Sequence, residues 1–315
     1  MQTLVLHTSA DKALLEGLSD GLLMQRSQLR RQGIGLHFAG LSRPRQQWED
    51  LAEAMADQNQ QAWLTAMSWQ RRWPRDIWLC ARGFHRCMLR DKCLNRWRDW
   101  LESQQLELVV AVHLLQPREQ SWQRFVAQTL RLEGEAAEDG EIDQSWFYNR
   151  AYNSLIETAG VRGSRFILHN QVSLGEPPAA GAGLLDWSCW PVNRSGSGAD
   201  LRRFALSLAL AQQLRQPPNQ AELQRLRRKL RTMATQLPPV NLSEAQALAL
   251  KAGWKPPGSP VLSEDLRLFA RRVWGTAWPE AVAAEPTPGE SSWEQARNGE
   301  SLAAAAHQLL QLSSS

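Results

Sequence analysis

"LVLHTSADKALLEGL", residues 4–18, decides how the chain folds. An apolar run closes at His7, and a short polar turn, Thr8-Ser9-Ala10-Asp11, leads to Lys12. From there apolar residues recur at helical spacing through Leu14, Leu15, Leu18 and Leu22. A strand feeding a helix through such a turn is the layout of an anion-binding loop. The first helical N–H groups have no intrahelical partner, and the helix dipole favours negative charge there. A lysine adds charge and hydroxyls add donors. Here Lys12 stands in the turn with Thr8 and Ser9 before it, but the loop lacks glycine. No hydroxyl follows the lysine, and Glu16 would repel an anion if turned inward. From chemistry alone the stretch reads equally well as an ordinary strand-to-helix turn.

The same alternation continues outward. Thr3–His7, Ile34–Phe38, Asp76–Cys80, Leu106–His113 and Arg165–Asn170 are short apolar runs of strand length. "ELVVAVHLL" (107–115) is almost continuously apolar, as parallel strands covered on both faces are. Helical stripes lie between and beyond the runs. The first, begun by Leu14, extends to Leu29; others are Trp122, Phe125, Val126, Leu130 and then Leu201, Phe204, Leu208, Leu214. Strands alternating with helices predict an α/β fold with a parallel sheet and right-handed crossovers. A further stripe, Leu223, Leu226, Leu230 and Met233, sits within "LQRLRRKLRTM", whose basic residues read as a solvated helix face. "LEGEAAEDGEID" (132–143) and "EPPAAGAG" (176–183) read as exposed loops. The expected organisation is one domain over residues 1–282, then a flexible linker and a short C-terminal helix over 283–315.

Composition bounds the function. A net charge of +4, from 36 basic and 32 acidic residues, is too balanced to imply nucleic-acid binding and suits a small anionic ligand equally well. No apolar run is long enough to span a membrane and no signal peptide is visible, so a cytoplasmic protein is expected. Cys80, Cys87, Cys93 and Cys189 make no paired CxxC arrangement and read as reduced, buried thiols. A metal site from His85, Cys87 and Cys93 is disfavoured. Fifteen tryptophans against two tyrosines is unusual. Trp fills cores and also stacks on sugars and flat ligands, and both roles stay open.

In succession these blocks resemble the bacterial branch of the sulfotransferase-like P-loop family. His7, Lys12 and Leu18 fall on the family's loop positions, and "QRSQLRRQGI" (25–34) follows its next helix end through Arg26, Leu29, Gly33 and Ile34. "DIWLCARGF" (76–84), "LELVVAVHLLQPREQSWQRFVAQTLRLEG" (106–134), "WFYNRAYNSLIETAGVRGSRFILHNQ" (146–171) and "VNRS" (192–195) resemble later blocks in order. The resemblance implies a P-loop-like parallel sheet flanked by helices in three layers. It also implies transfer of a sulfuryl group from 3′-phosphoadenylyl sulfate (PAPS) to a hydroxyl of a carbohydrate or small molecule. By analogy with phosphoryl transfer, such catalysis is positioning plus charge stabilisation. On this reading Lys12 serves the phosphosulfate and His85 replaces the family's base. His7, Thr8 and Ser9 would line the cofactor loop, and Arg118 or Arg124 would serve the 3′-phosphate.

This chain departs from the pattern. After Lys12 come Ala13, Leu14, Leu15 and Glu16 where the family has Thr-Gly-Thr-Thr. Ser9 replaces the loop glycine, Arg82 stands at the carboxylate position, and Leu115 and Gln116 stand at the 3′-phosphate arginine. Each lost charge-assisted contact is worth about 1.5–3 kcal/mol, so losing three costs several powers of ten in affinity. Two readings follow: a divergent PAPS-dependent transferase, or a catalytically dead module on the same scaffold that recognises a glycan or protein partner through Trp-rich loops such as "DWSCW" (186–190). A nucleotide-triphosphate kinase is disfavoured, because no acidic residue clearly ends a strand to hold magnesium.

Overall fold

The computed structural model describes residues 2–36, 44–68, 76–88, 91–132, 157, 164–170, 179–180, 198–214, 218–254, 264–279 and 292–313. Five strands form one sheet: β1 (Gln2–Thr8), β2 (Ile34–Leu36), β3 (Asp76–Cys80), β4 (Leu106–Leu115) and β5 (Ser164–His169). Their order is β2-β3-β1-β4-β5, and every neighbouring pair is parallel. All five apolar runs read from the sequence are these strands. β1 lies at the centre, where both faces need cover, so Leu4, Val5 and Leu6 are all buried. β4, beside it, is buried at nine of its ten positions, which accounts for the unbroken apolar run.

Helices cover both faces. α1 (Lys12–Met24) runs back along one face and places Leu15 and Ser19 against Cys80 of β3. The first long stripe breaks at Gln25, and Leu29 is buried from a separate short helix, α2 (Arg26–Arg31). α3 (Pro44–Ala56) and α4 (Gln60–Ser68) cover the opposite face, where Leu51 and Trp63 meet Leu4, Ile77 and Leu79. Alternation along β3 separates the two sets, since Leu79 and Cys80 point to opposite faces. α5 (Gly83–Met88) and α6 (Asp91–Ser103) follow β3; α5 packs on α3, and α6 packs on β4. This is a three-layer α/β arrangement.

The chain divides into two compact units. The first holds the sheet, α1 to α6 and a later helix that is numbered below. The second is helical: α7 (Pro117–Arg131), α8 (Gly198–Gln213), α9 (Gln220–Ala234), α10 (Leu242–Lys251) and, last in the chain, α12 (Ser292–Ser313). α11 (Glu264–Trp274) returns to the first unit, where Phe269 packs on Phe166 of β5. This differs from a single domain over 1–282. The stripes on α7, α8 and α9 close on one another in a core of their own, with Trp122, Phe204, Leu226 and Leu230 buried there. The final helix is longer than expected, and it buries Leu302, Ala306 and Leu309 in that second core. Among the described residues no helix is long and apolar enough to cross a membrane.

Gly83 starts α5 where that helix meets α3. A Cβ there would stand 2.7 Å from Ala52 Cβ and 3.1 Å from Glu49 Oε2. Gly83→Ala is therefore expected to destabilise the protein by about 1–3 kcal/mol, as overpacking does. Urea denaturation checks this; an unchanged midpoint would mean that α3 and α5 are less closely packed.

Candidate functional site

The junction between β1 and α1 is built inward. His7, Thr8 and Ser9 are almost fully buried. Thr8 Oγ1 donates to the Ala81 carbonyl at 3.0 Å, and Ser9 Oγ donates to the His113 carbonyl at 2.7 Å. Ser9 Oγ also accepts from the Asp11 N–H at 3.1 Å. The hydroxyls expected to line a cofactor loop instead tie β1 to its two neighbouring strands.

Asp11 takes the place of an anion. It is the N-cap of α1, and its Oδ1 accepts the Leu14 N–H at 2.8 Å. The Ala13 N–H also supports the carboxylate. Burial raises the Asp11 pKa, opposed by these two amides and by the nearby Arg82 charge. The protein's own carboxylate thus satisfies donors that a phosphate would use. Lys12, the next residue, points outward with its side chain 71% exposed, and its Nζ lies 3.7 Å from Glu16 Oε1. An exposed i,i+4 pair of this kind contributes only about 0.3–0.5 kcal/mol.

Lys12 nevertheless lines a cavity of about 220 Å³ beyond the C-terminal end of β3, with Leu15, Glu16 and Ser19 of α1, Arg45, Gln46 and Glu49 of α3, Cys80 and Arg82. Open α/β sheets bind ligands outside the carboxyl ends of strands, where the crossover direction changes. Here β1 leads towards β2 on one side, while β3 leads across β1 to β4 on the other. The charges around this cavity are arranged as pairs and caps. Arg45 pairs with Asp20. Glu49 accepts the Arg82 N–H at 2.7 Å and the Gly83 N–H at 2.9 Å, and so caps α5. Arg82 makes no ion pair among the described residues. Cys80 is no nucleophile, because burial pushes its thiol up to about 12.

The other expected site residues lie elsewhere. His85 is buried in α5, where burial and then Arg82 lower its pKa to about 4. It is neutral, as a base must be, but does not line the cavity. Arg118 is half-buried and Arg124 is exposed, both on α7 of the second unit. Gln116, at the end of β4, is fully engaged within the first unit. It accepts from Trp278 Nε1 at 3.0 Å and donates to the Pro279 carbonyl at 3.0 Å. Cys87 and Cys93 direct their thiols at main-chain carbonyls of α3.

The described tryptophans fill cores. Trp48, Trp63, Trp78, Trp97, Trp122, Trp254 and Trp278 are buried. Trp63 and Trp97 donate their indole N–H groups to the Leu51 and Met55 carbonyls. "DWSCW", "VNRS", Cys189 and nearly all of the acidic stretch 132–143 lie outside the described residues.

Sequence reasoning missed a row of histidines. His7 Nδ1 lies 3.0 Å from His113 Nε2, and His113 Nδ1 lies 3.0 Å from His169 Nε2, joining β1, β4 and β5. All three are buried. The available signal was a shared strand ending: "LVLH" (4–7), "VAVH" (110–113) and "FILH" (166–169). Comparison with family models, curated proteins and solved structures finds no match to this chain.

The histidine row sets an acid response. Unfolded, each imidazole takes up a proton near pH 6.5, as model compounds do. Folded, burial lowers His7 and His169 to about 3 and His113 well below its usual value. The unfolded chain then binds more protons below about pH 6.5, so stability falls as the pH falls towards 3. Urea midpoints are expected to decline already between about pH 6.5 and 5, where ordinary carboxylates stay ionised. A flat profile across that interval would contradict three buried neutral imidazoles.

Proposed function

We propose that this chain is a sulfotransferase-like P-loop protein that has lost donor turnover and serves as a binding module for a small anion-bearing ligand. The observation that carries this reading is the Asp11 carboxylate at the N-terminus of α1. A donor phosphate approaching those amides would meet a negative charge already in place. Two unit charges about 4 Å apart repel by about 4 kcal/mol at an effective dielectric of 20. Lys12 offsets this weakly, being solvated and shared with Glu16.

The cavity supports the choice of ligand. Lys12, Arg45 and Arg82 come to it from three different segments, and Arg82 stands where the resemblance places a catalytic carboxylate. Arginine's fork of donors suits a carboxylate or phosphate. A glycan stacked on tryptophan finds less support, since most of the described tryptophans are buried.

Calorimetric titration of the intact chain tests the reading. 3′-Phosphoadenosine 5′-phosphate, the desulfated donor, is expected to give no binding at millimolar concentration. Citrate, as a small anionic probe, is expected to bind, with affinity at least tenfold weaker in Arg82→Gln. Micromolar nucleotide binding that disappears in Lys12→Ala would overturn the module and favour the transferase. Citrate affinity unchanged in Arg82→Gln would remove the cavity from the account.

A further inference from the structure

The histidine row has a proton count that fixes its behaviour. A neutral imidazole carries one N–H and one bare nitrogen. Each nitrogen-to-nitrogen contact at 3.0 Å needs one proton between its two atoms. His113 uses both of its nitrogens, so its tautomer dictates those of its neighbours. If His113 carries its proton on Nδ1, His169 Nε2 accepts and His7 Nδ1 donates, and all three are Nδ1–H. If His113 carries it on Nε2, the same reasoning makes all three Nε2–H. No mixed neutral arrangement keeps both hydrogen bonds.

The two arrangements differ by one proton moved end to end. In the first, the third proton sits on His169 Nδ1 and His7 Nε2 is bare. In the second, His7 Nε2 holds it.

The β1 end favours one of the two arrangements. Among the described residues His7 Nε2 is buried with no hydrogen-bond partner, and so is Trp78 Nε1 on the neighbouring β3. The two rings are adjacent, with centroids 5.0 Å apart and planes at 61°. Indole N–H can only donate. A bare His7 Nε2 puts an acceptor beside that donor, whereas an Nε2–H would set two donors together. On β3, Cys80 is the nearest titratable neighbour in register with His7. On α1, Glu16 and Lys12 turn to the cavity. His113 feels the charge of both neighbouring imidazoles.

We propose that His7, His113 and His169 form one hydrogen-bonded unit across the sheet, resting with all three protons on Nδ1 and switching tautomer together. The unit joins the strand end that carries the Lys12 loop to the strand end at β5. It stands independently of the ligand assigned to the cavity.

Long-range proton–nitrogen NMR of the intact chain, labelled at histidine nitrogen, tests it. At neutral pH three imidazoles are expected as Nδ1–H tautomers, against the usual preference of exposed histidine for Nε2–H, with no change between pH 8 and 5. Trp78→Phe removes the indole donor and is expected to move all three together towards Nε2–H. Three Nε2–H rings, mixed tautomers or an imidazolium in the wild-type protein would overturn the proposal, as would a change in Trp78→Phe that is confined to His7 or absent. If Trp78→Phe does not fold, the wild-type tautomers decide alone.

Discussion

The amide groups at the start of α1 must find an acceptor, and the rest of the first unit is arranged around how they do. β1 is buried at the centre of a parallel sheet, so the helix that follows begins at the sheet's C-terminal edge with its N–H groups directed where ligands of such sheets sit. A nucleotide-binding protein leaves those groups for phosphate. This chain fills the position with Asp11, a residue whose place in the sequence makes it the cap automatically. The cap satisfies those amides within the chain itself.

The remaining charges follow from that choice. Lys12 has no anion to hold in the loop, so it turns outward beside Glu16. Glu49 caps α5 by the same device that Asp11 uses on α1, two carboxylates each taking amides at a helix start. Arg45 is held by Asp20. Arg82 remains as a cation close to Asp11 and His85, opposing the rise that burial gives the Asp11 pKa and adding to the fall that burial gives His85. The resulting cavity is a mixed-charge surface rather than a phosphate cradle, which is why the binding reading rests on Arg82 more than on the lysine that first draws attention.

Much of the fold was legible because burial writes itself into strands. A parallel strand covered on both faces has to be apolar throughout, and Leu106–Leu115 shows this without ambiguity. The second unit was not legible as a separate body. A stripe such as Leu223, Leu226 and Leu230 states that a helix has a buried face but not what lies against it. The site was read from local spacing, which located Lys12 but assigned Asp11 no role and missed Arg45 and Glu49, brought in from α3 by long-range packing. His7 was placed at the end of the first strand and in the cofactor loop, but its partner His113 is a diagonal neighbour 106 residues away. The buried tryptophans among the described residues follow the plainer of the two readings, because an indole with a backbone carbonyl within reach is a well-satisfied core residue.

The central claim is that Asp11 occupies the anion position. Hydrogen exchange at the amides of Ala13 and Leu14 tests it most directly. Both are expected to exchange slowly in the unliganded chain and to become fast in Asp11→Ala, while the β1 amides stay protected. Fast exchange at Ala13 and Leu14 in the wild-type protein would show an open cradle and contradict the account.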